Sequence, residues 1–178
     1  MNRAKSIQQS EKYNPLWQQL KLRLSEIFDG KLGIVFPEEW NEKYFSWFHV
    51  VEEETFRLEL QYSFEEIARI LEHKDLVFCF ITVEDQPQIL LLGYSICNGN
   101  TKSFYLDTLA IRHRGKGIGH LVLDFLISWA RTKQYQIIIL DTELIDEKGF
   151  PLPQFYAKHG FKIVGQSETG NITMKYFL

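Results

Sequence analysis

The chain has 178 residues, 45% of them hydrophobic and 24% charged, enough for one core that buries close to ~70% of the unfolded surface. Twenty Lys and Arg against 23 Asp and Glu give a formal net charge of -3, so no global basic field exists to hold a nucleic-acid backbone. Cys79 and Cys97 cannot form a disulfide framework and lie in no zinc-type spacing, so both are expected as reduced, half-buried strand residues. No run of about 18 uncharged apolar residues and no secretory h-region is present, which predicts a cytoplasmic protein without a membrane partner.

Residues 1–13 are polar and aperiodic and are expected as a flexible arm preceding a single domain over 14–178. Asn14 and Pro15 write a helix start, and Leu16, Trp17, Leu20, Leu24, Ile27 and Phe28 recur at helical spacing, predicting a helix over about 15–28. Leu32–Phe36 reads as a strand, and a helix is expected from Trp40 or later toward Phe56. Ser63 and Glu66 have capping-box spacing ahead of Ile67, Ala68 and Leu71, predicting a shorter helix. Strands are expected over Leu76–Val83 and Ile89–Cys97, joined by a turn at 84–88, then over Ser103–Ile111 after the Asn98-Gly99-Asn100 turn.

The period then changes. Ile118, Leu121, Val122, Phe125, Leu126 and Trp129 form an apolar helical stripe. The run Ile137–Leu140 reads as a strand buried on both faces and parallel to its predecessor. A helix from Pro151–Pro153 to Gly160 and strands over Phe161–Gln166 and Ile172–Phe177 complete a mixed α/β order.

Arg112 to His120 lies between a strand and the strongest helix, bringing Gly115, Gly117 and Gly119 together with Arg114 and Lys116. Unpaired amides, the positive end of a helix dipole and small residues make such a turn an anion site. The alternative is a glycine-rich turn with solvated cations. No GxxxxGK is present, so a Walker loop is excluded. A dinucleotide fingerprint finds His120 where its third glycine belongs, although Asp141 lies near the distance of a ribose-binding acid. The third motif, RxxGxG, is met by Arg114, Gly117 and Gly119.

Together with YLDTLAIRHRGKGIGHLVLDFLISWA and the later FYAKHGFKIVG, that motif resembles the GNAT superfamily of N-acetyltransferases over about residues 89–165. The resemblance implies the GNAT acyl-CoA N-acyltransferase fold: a central, mixed, mostly antiparallel sheet with a splayed parallel strand pair, flanked by helices. The helix over about 15–28 has no counterpart in it. It also implies acetyl-CoA as co-substrate, with Arg114, Gly115, Lys116, Gly117, Ile118, Gly119 and His120 on its phosphates and Leu109, Ala110 and Ile111 on its pantetheine arm. Tyr156 matches the tyrosine that protonates the departing thiolate, for which a phenol near pKa ~10 suits a thiol near ~8.5. Many members carry an asparagine seven residues before that tyrosine; here the position is Gly149, in a longer, proline-containing segment.

A lysine-type amine is neutral in only about one molecule in 10³ at pH 7, so a base is needed. Asp107 matches the family's carboxylate; Asp141 and Glu54 are the second and third candidates. Each has a plainer reading as an ion pair at a surface or strand end. A backbone N–H near Leu109 would polarise the carbonyl. The resemblance implies an acceptor region at about 52–64 and 166–171; Glu52, Glu53 and Glu54 in it and Glu65 and Glu66 just after it lie among Phe56, Tyr62 and Phe64, which points to a cationic amine, with a solvated helix face as an alternative of at least equal weight. The acceptor is a small molecule or a peptide or protein amine, and the chain a monomer or homodimer. His49, His73, His113, His120 and His159 have no metal-ligand spacing, so no metal is expected. A non-catalytic acyl-CoA-binding module is the rival from a different class.

Overall fold

The computed structural model describes residues 11, 13–73, 75–166 and 170–178. The Asn14 side chain accepts from the Leu16 N–H, and Pro15 opens helix α1 (Pro15–Ser25), which buries Trp17, Leu20 and Leu24. Strand β1 (Leu32–Val35) follows, then α2 (Glu42–Thr55) behind an Asn41 cap, one 3-10 turn (Leu58–Leu60), and α3 (Phe64–Ile70) with its Ser63–Glu66 capping box formed. Strands β2 (Val77–Val83), β3 (Gln86–Asn98) and β4 (Thr101–Ile111) form an antiparallel meander. Helix α4 (Ile118–Thr132) crosses to β5 (Ile137–Thr142), and α5 (Leu152–Lys158), β6 (Lys162–Gln166) and β7 (Ile172–Phe177) finish the chain.

The sheet order is β1-β2-β3-β4-β5-β7-β6, antiparallel throughout except between β4 and β5. One face carries α1 and α4 over Leu91, Phe104, Leu106, Ile138 and Met174; the other carries α2 and α3 over Phe78, Phe80, Leu90, Leu92 and Ala110. The apolar stripe of α4 has its physical reason here: Val122, Leu126 and Trp129 are all buried on the sheet. Among the described residues no helix is long and apolar enough to cross a membrane.

Strand β4 departs from regular pairing on both of its edges. Gly93 pairs with Leu106 and Leu92 with Thr108, so Asp107 is an extra residue, a β-bulge that puts the Asp107 and Thr108 side chains on the α2–α3 face. Gly93 has no room for a Cβ, which would run into the Phe104 ring and the Tyr105 carbonyl. Pairing of β4 with β5 ends at Tyr105 and Ile139, while β4 runs on to Ile111 beside β3 and β5 stays with β7. The two parallel strands therefore part just where the bulge lies.

Several expectations need correction. The hairpin turn is only Glu84-Asp85, both with positive φ (48° and 60°); Pro87 is tolerated inside β3 because its partner Thr82 lies at a register shift. Cys79 is buried and Cys97 exposed, so neither is half-buried. Strand β5 alternates between buried and partly exposed residues, its α2–α3 face being only partly covered. Glu11, expected in a flexible arm, is 1% exposed: its Oε2 accepts from the indole N–H groups of Trp17 and Trp129, each at 2.8 Å, and its other oxygen pairs with Lys133. Residues 1–10 of that arm, and the turn at 167–169, lie outside the described residues.

Candidate active site

The loop between β4 and α4 is wound left-handed over Gly115, Lys116 and Gly117, with φ of 92°, 51° and 73°. Gly117 is the N-cap of α4, and no side chain caps the helix. The amides of Gly119 and His120 have no hydrogen-bond partner among the described residues, and space is open around the positions that Cβ atoms would take at Gly115 and Gly117. Gly119 has a different reason: a Cβ would lie 3.2 Å from Cζ of Phe155, so this glycine lets α5 pack. Lys116 is exposed. Arg114 is engaged, its guanidinium paired with Asp146 and directed to the Thr55 carbonyl (3.5 Å). Leu109, Ala110 and Ile111 lie beyond the parting, where β4 has β3 on one edge and no strand on the other among the described residues.

The α2–α3 face of the parting gathers carboxylates and tyrosines. Asp107 accepts from the Tyr62 hydroxyl (3.2 Å) and the Thr108 hydroxyl (2.9 Å); burial raises its pKa above the ordinary carboxylate range, against the opposing pull of these bonds and of His73. Asp141 accepts from Tyr105 (3.0 Å) and Thr173 (2.5 Å). Tyr94 packs between Tyr105 (5.4 Å between centroids) and His73, which stacks on it at 4.1 Å. Burial, then the neighbouring Asp107 and Asp141, pushes the Tyr94 phenol up to about 12.

Glu52, buried on α2, accepts from the Tyr62 backbone N–H (3.2 Å); desolvation, opposed by that bond and aided by Asp107 and Glu66, lifts its pKa to about 8. Sequence reasoning missed it as a titrating group inside the site. The one available signal was the helical phase of α2, which puts Glu52 in line with buried Phe48, Val51 and Thr55.

Glu54 is turned away. It holds Arg112 at 2.5 and 2.9 Å, which lowers its pKa, so it is a surface ion pair and not a base in the site. Glu53 pairs with His49, and Glu66 closes the α3 capping box. Most of the acidic run is thus a solvated face, with only Glu52 facing inward.

Tyr156 lies on α5 against the α1–α4 core, between Phe155 and Phe161, and enclosure there pushes its phenol up to about 12. Its hydroxyl has no hydrogen-bond partner among the described residues. Tyr156 and Asp107 belong to opposite faces of the sheet and are not bonded to each other. The segment after β5 bridges the open end of the parting. Glu143 pairs with Arg57, Glu147 accepts from the Arg57 backbone N–H (3.2 Å), and Asp146 holds Arg114. Against the burial that would raise it, the Phe150 and Lys148 amides (2.8 Å each) and Arg114 keep the Asp146 carboxyl below its usual range. Gly149, with φ 78°, turns this segment back on itself. Among the described residues no group of three or more His, Cys, Asp or Glu could hold a metal ion.

No curated protein matches the sequence. Solved structures share the fold. PH1933 from Pyrococcus horikoshii OT3 is 18% identical over 83% of this chain and 99% of its own, with a TM-score of 0.66. The PaiA N-acetyltransferase of Thermoplasma acidophilum, in complex with coenzyme A, is 16% identical over 83% and 99%, with a TM-score of 0.63. Arabidopsis thaliana Naa50, in complex with the bisubstrate analogue CoA-Ac-MVNAL, is 15% identical over 83% and 99%, with a TM-score of 0.62. The model of the acetyltransferase (GNAT) family matches residues 34–161, which run from β1 through the parted strands to the end of the Tyr156 helix, and the chain belongs to that family.

Proposed function

We propose that this protein moves an acetyl group from acetyl-CoA directly to an amine. The observation that carries this reading is the uncapped start of α4 at the mouth of two parted parallel strands, with Asp107 on one face of the parting and Tyr156 on the other. The open amides of Gly119 and His120, with Lys116, suit a diphosphate. The unpaired edge of Leu109, Ala110 and Ile111 suits an amide-bearing pantetheine arm.

Acetyl-CoA supplies the acyl group activated as a thioester; the protein's residues move protons and orient. Asp107, its basicity raised by burial, takes the proton that an ammonium must lose before its nitrogen can attack, directly or through water. A β4 amide near Leu109 stabilises the carbonyl oxygen as it gains charge. Tyr156, protonated throughout the working range, gives its proton to the sulfur as the C–S bond breaks and the C–N bond forms, and the second proton that the nitrogen sheds on becoming an amide reprotonates the phenolate through solvent. The acceptor enters over Tyr62, Tyr94 and Tyr105, a face whose carboxylates favour a cation.

The test is release of CoA thiol with a panel of amines and amine-bearing peptides. Tyr156→Phe is expected to lower kcat about 10- to 100-fold while CoA still binds. CoA, and not NAD(P), is expected to raise the melting temperature. CoA binding without turnover of any amine would assign a binding module instead, and indifference to CoA would overturn the reading.

A further inference from the structure

Away from the carboxylate–tyrosine face, Asp124, His159 and His120 form a chain. Asp124 Oδ1 lies 2.7 Å from Nδ1 of His159, and Nε2 of His159 lies 2.7 Å from Nδ1 of His120. The imidazoles stack at 26°, and Phe155 packs against both, 5.0 Å from His120 and 5.5 Å from His159 between centroids. His159 caps the end of α5 with its side chain only 7% exposed, whereas His120, in the first turn of α4, is exposed.

The contacts dictate the proton arrangement. The Asp124 carboxylate can only accept, so His159 carries its proton on Nδ1 and offers a lone pair at Nε2. One proton fits between the two rings, and His120 supplies it from Nδ1. Nε2 of His120 is then on the far side of its ring, without a partner among the described residues, on a residue of the same first helical turn whose Gly119 and His120 amides are open. A second proton on that Nε2 gives the pair one positive charge, balanced at the inner end by Asp124. Protonating both rings fully would set N–H against N–H.

We propose that Asp124 and His159 are positioning residues for the coenzyme, holding His120 as a phosphate donor that takes up a proton when the phosphate binds. This rests on the coenzyme reading under Proposed function. The other titratable groups on the surrounding elements are Arg112, His113, Arg114 and Lys116 on the loop, Tyr156 and Lys158 on α5, Arg131 on α4 and Tyr176 on β7; Arg112 is held by Glu54, and Tyr156 packs on Phe155. Arg131 donates to Tyr176 (2.7 Å), Arg114 is held by Asp146, and among the described residues only Asp124 bonds to the pair.

Proton uptake has a sign that a merely structural role cannot reproduce, because binding a phosphate monoester to a fixed cation releases the ligand's own proton. Calorimetric titration of the full chain with CoA, in buffers of different ionisation heat, is expected to show net proton uptake. Asp124→Asn and His159→Gln, checked for an unchanged melting temperature, should abolish or reverse that uptake and weaken CoA about fivefold. His120→Gln, at an exposed position, should do the same and guards against a folding defect in the other two. Repeating the titration with dephospho-CoA identifies the phosphate: uptake retained assigns the diphosphate, uptake lost the ribose 3′-phosphate. Folded variants with the parent's uptake and affinity would overturn the proposal and leave the coenzyme reading standing; a parent that binds no CoA at any pH would overturn that reading.

Discussion

Glu52 and Glu54 are two residues apart on α2, yet one is buried beside Tyr62 and the other binds Arg112 in solvent. Their protons respond oppositely. The folded protein keeps the Glu52 proton up to about pH 8, whereas the unfolded chain releases it near the ordinary value of 4.5. The stabilisation from burying the neutral acid is therefore complete below about pH 4.5 and is lost as pH rises toward 8. The melting temperature is expected to fall between about pH 5 and 9, and Glu52→Gln, which has no proton to lose, should flatten that fall and exceed the parent above about pH 8. A parallel fall in both proteins would show that Glu52 does not titrate there. The sequence could not rank these two glutamates, because the orientation of α2 depends on Phe48 and Val51 finding Phe78, Leu90 and Leu92 in the sheet.

At the scale of elements, what was legible is what is local. The stripe on α4, the Asn14-Pro15 start of α1 and the Ser63–Glu66 box need only a few neighbouring residues, and each formed as read. The segment after β5 was legible only as long and proline-containing. Its acids are matched to Arg57 and Arg114, 86 and 32 residues away in sequence, pairings that no local pattern encodes. That segment restrains the loop. Asp146→Asn keeps an oxygen for the Lys148 and Phe150 amides but removes the charge holding Arg114, so it should free a cation beside the open start of α4. Affinity for CoA is expected to rise severalfold, with a steeper fall as salt increases. A weaker CoA complex would show that Arg114 acts only by holding the segment in place.

For the whole molecule, Glu11 joins the beginning of the chain to α1 and α4 at once, through two indoles and Lys133. A lone glutamate in a polar stretch gives no hint of this, since its partner Trp129 is 118 residues away. Glu11→Gln replaces the charged acceptor of two buried indole N–H groups by a neutral one, while Lys133, about a third exposed, stays solvated, and should cost about 1–3 kcal/mol in urea unfolding, read as a lower midpoint at unchanged slope. A change under about 0.5 kcal/mol would reduce the contact to surface decoration. The family fold and the glycine loop were readable because their signals are written in two short stretches, Tyr105 to Ala130 and Phe155 to Gly165. The bulge was not, since a supernumerary residue in a strand has no mark of its own. Its place makes charge and backbone separable. Asp107→Asn would discharge the carboxyl and leave the kink, whereas excising residue 107 would let Leu106 and Thr108 succeed one another in strict alternation, every flanking side chain keeping its layer. The shortened strand should still fold, straightened alongside β5, and a catalyst that tolerates the first lesion but not the second would owe its activity to the gap between strands rather than to the acid.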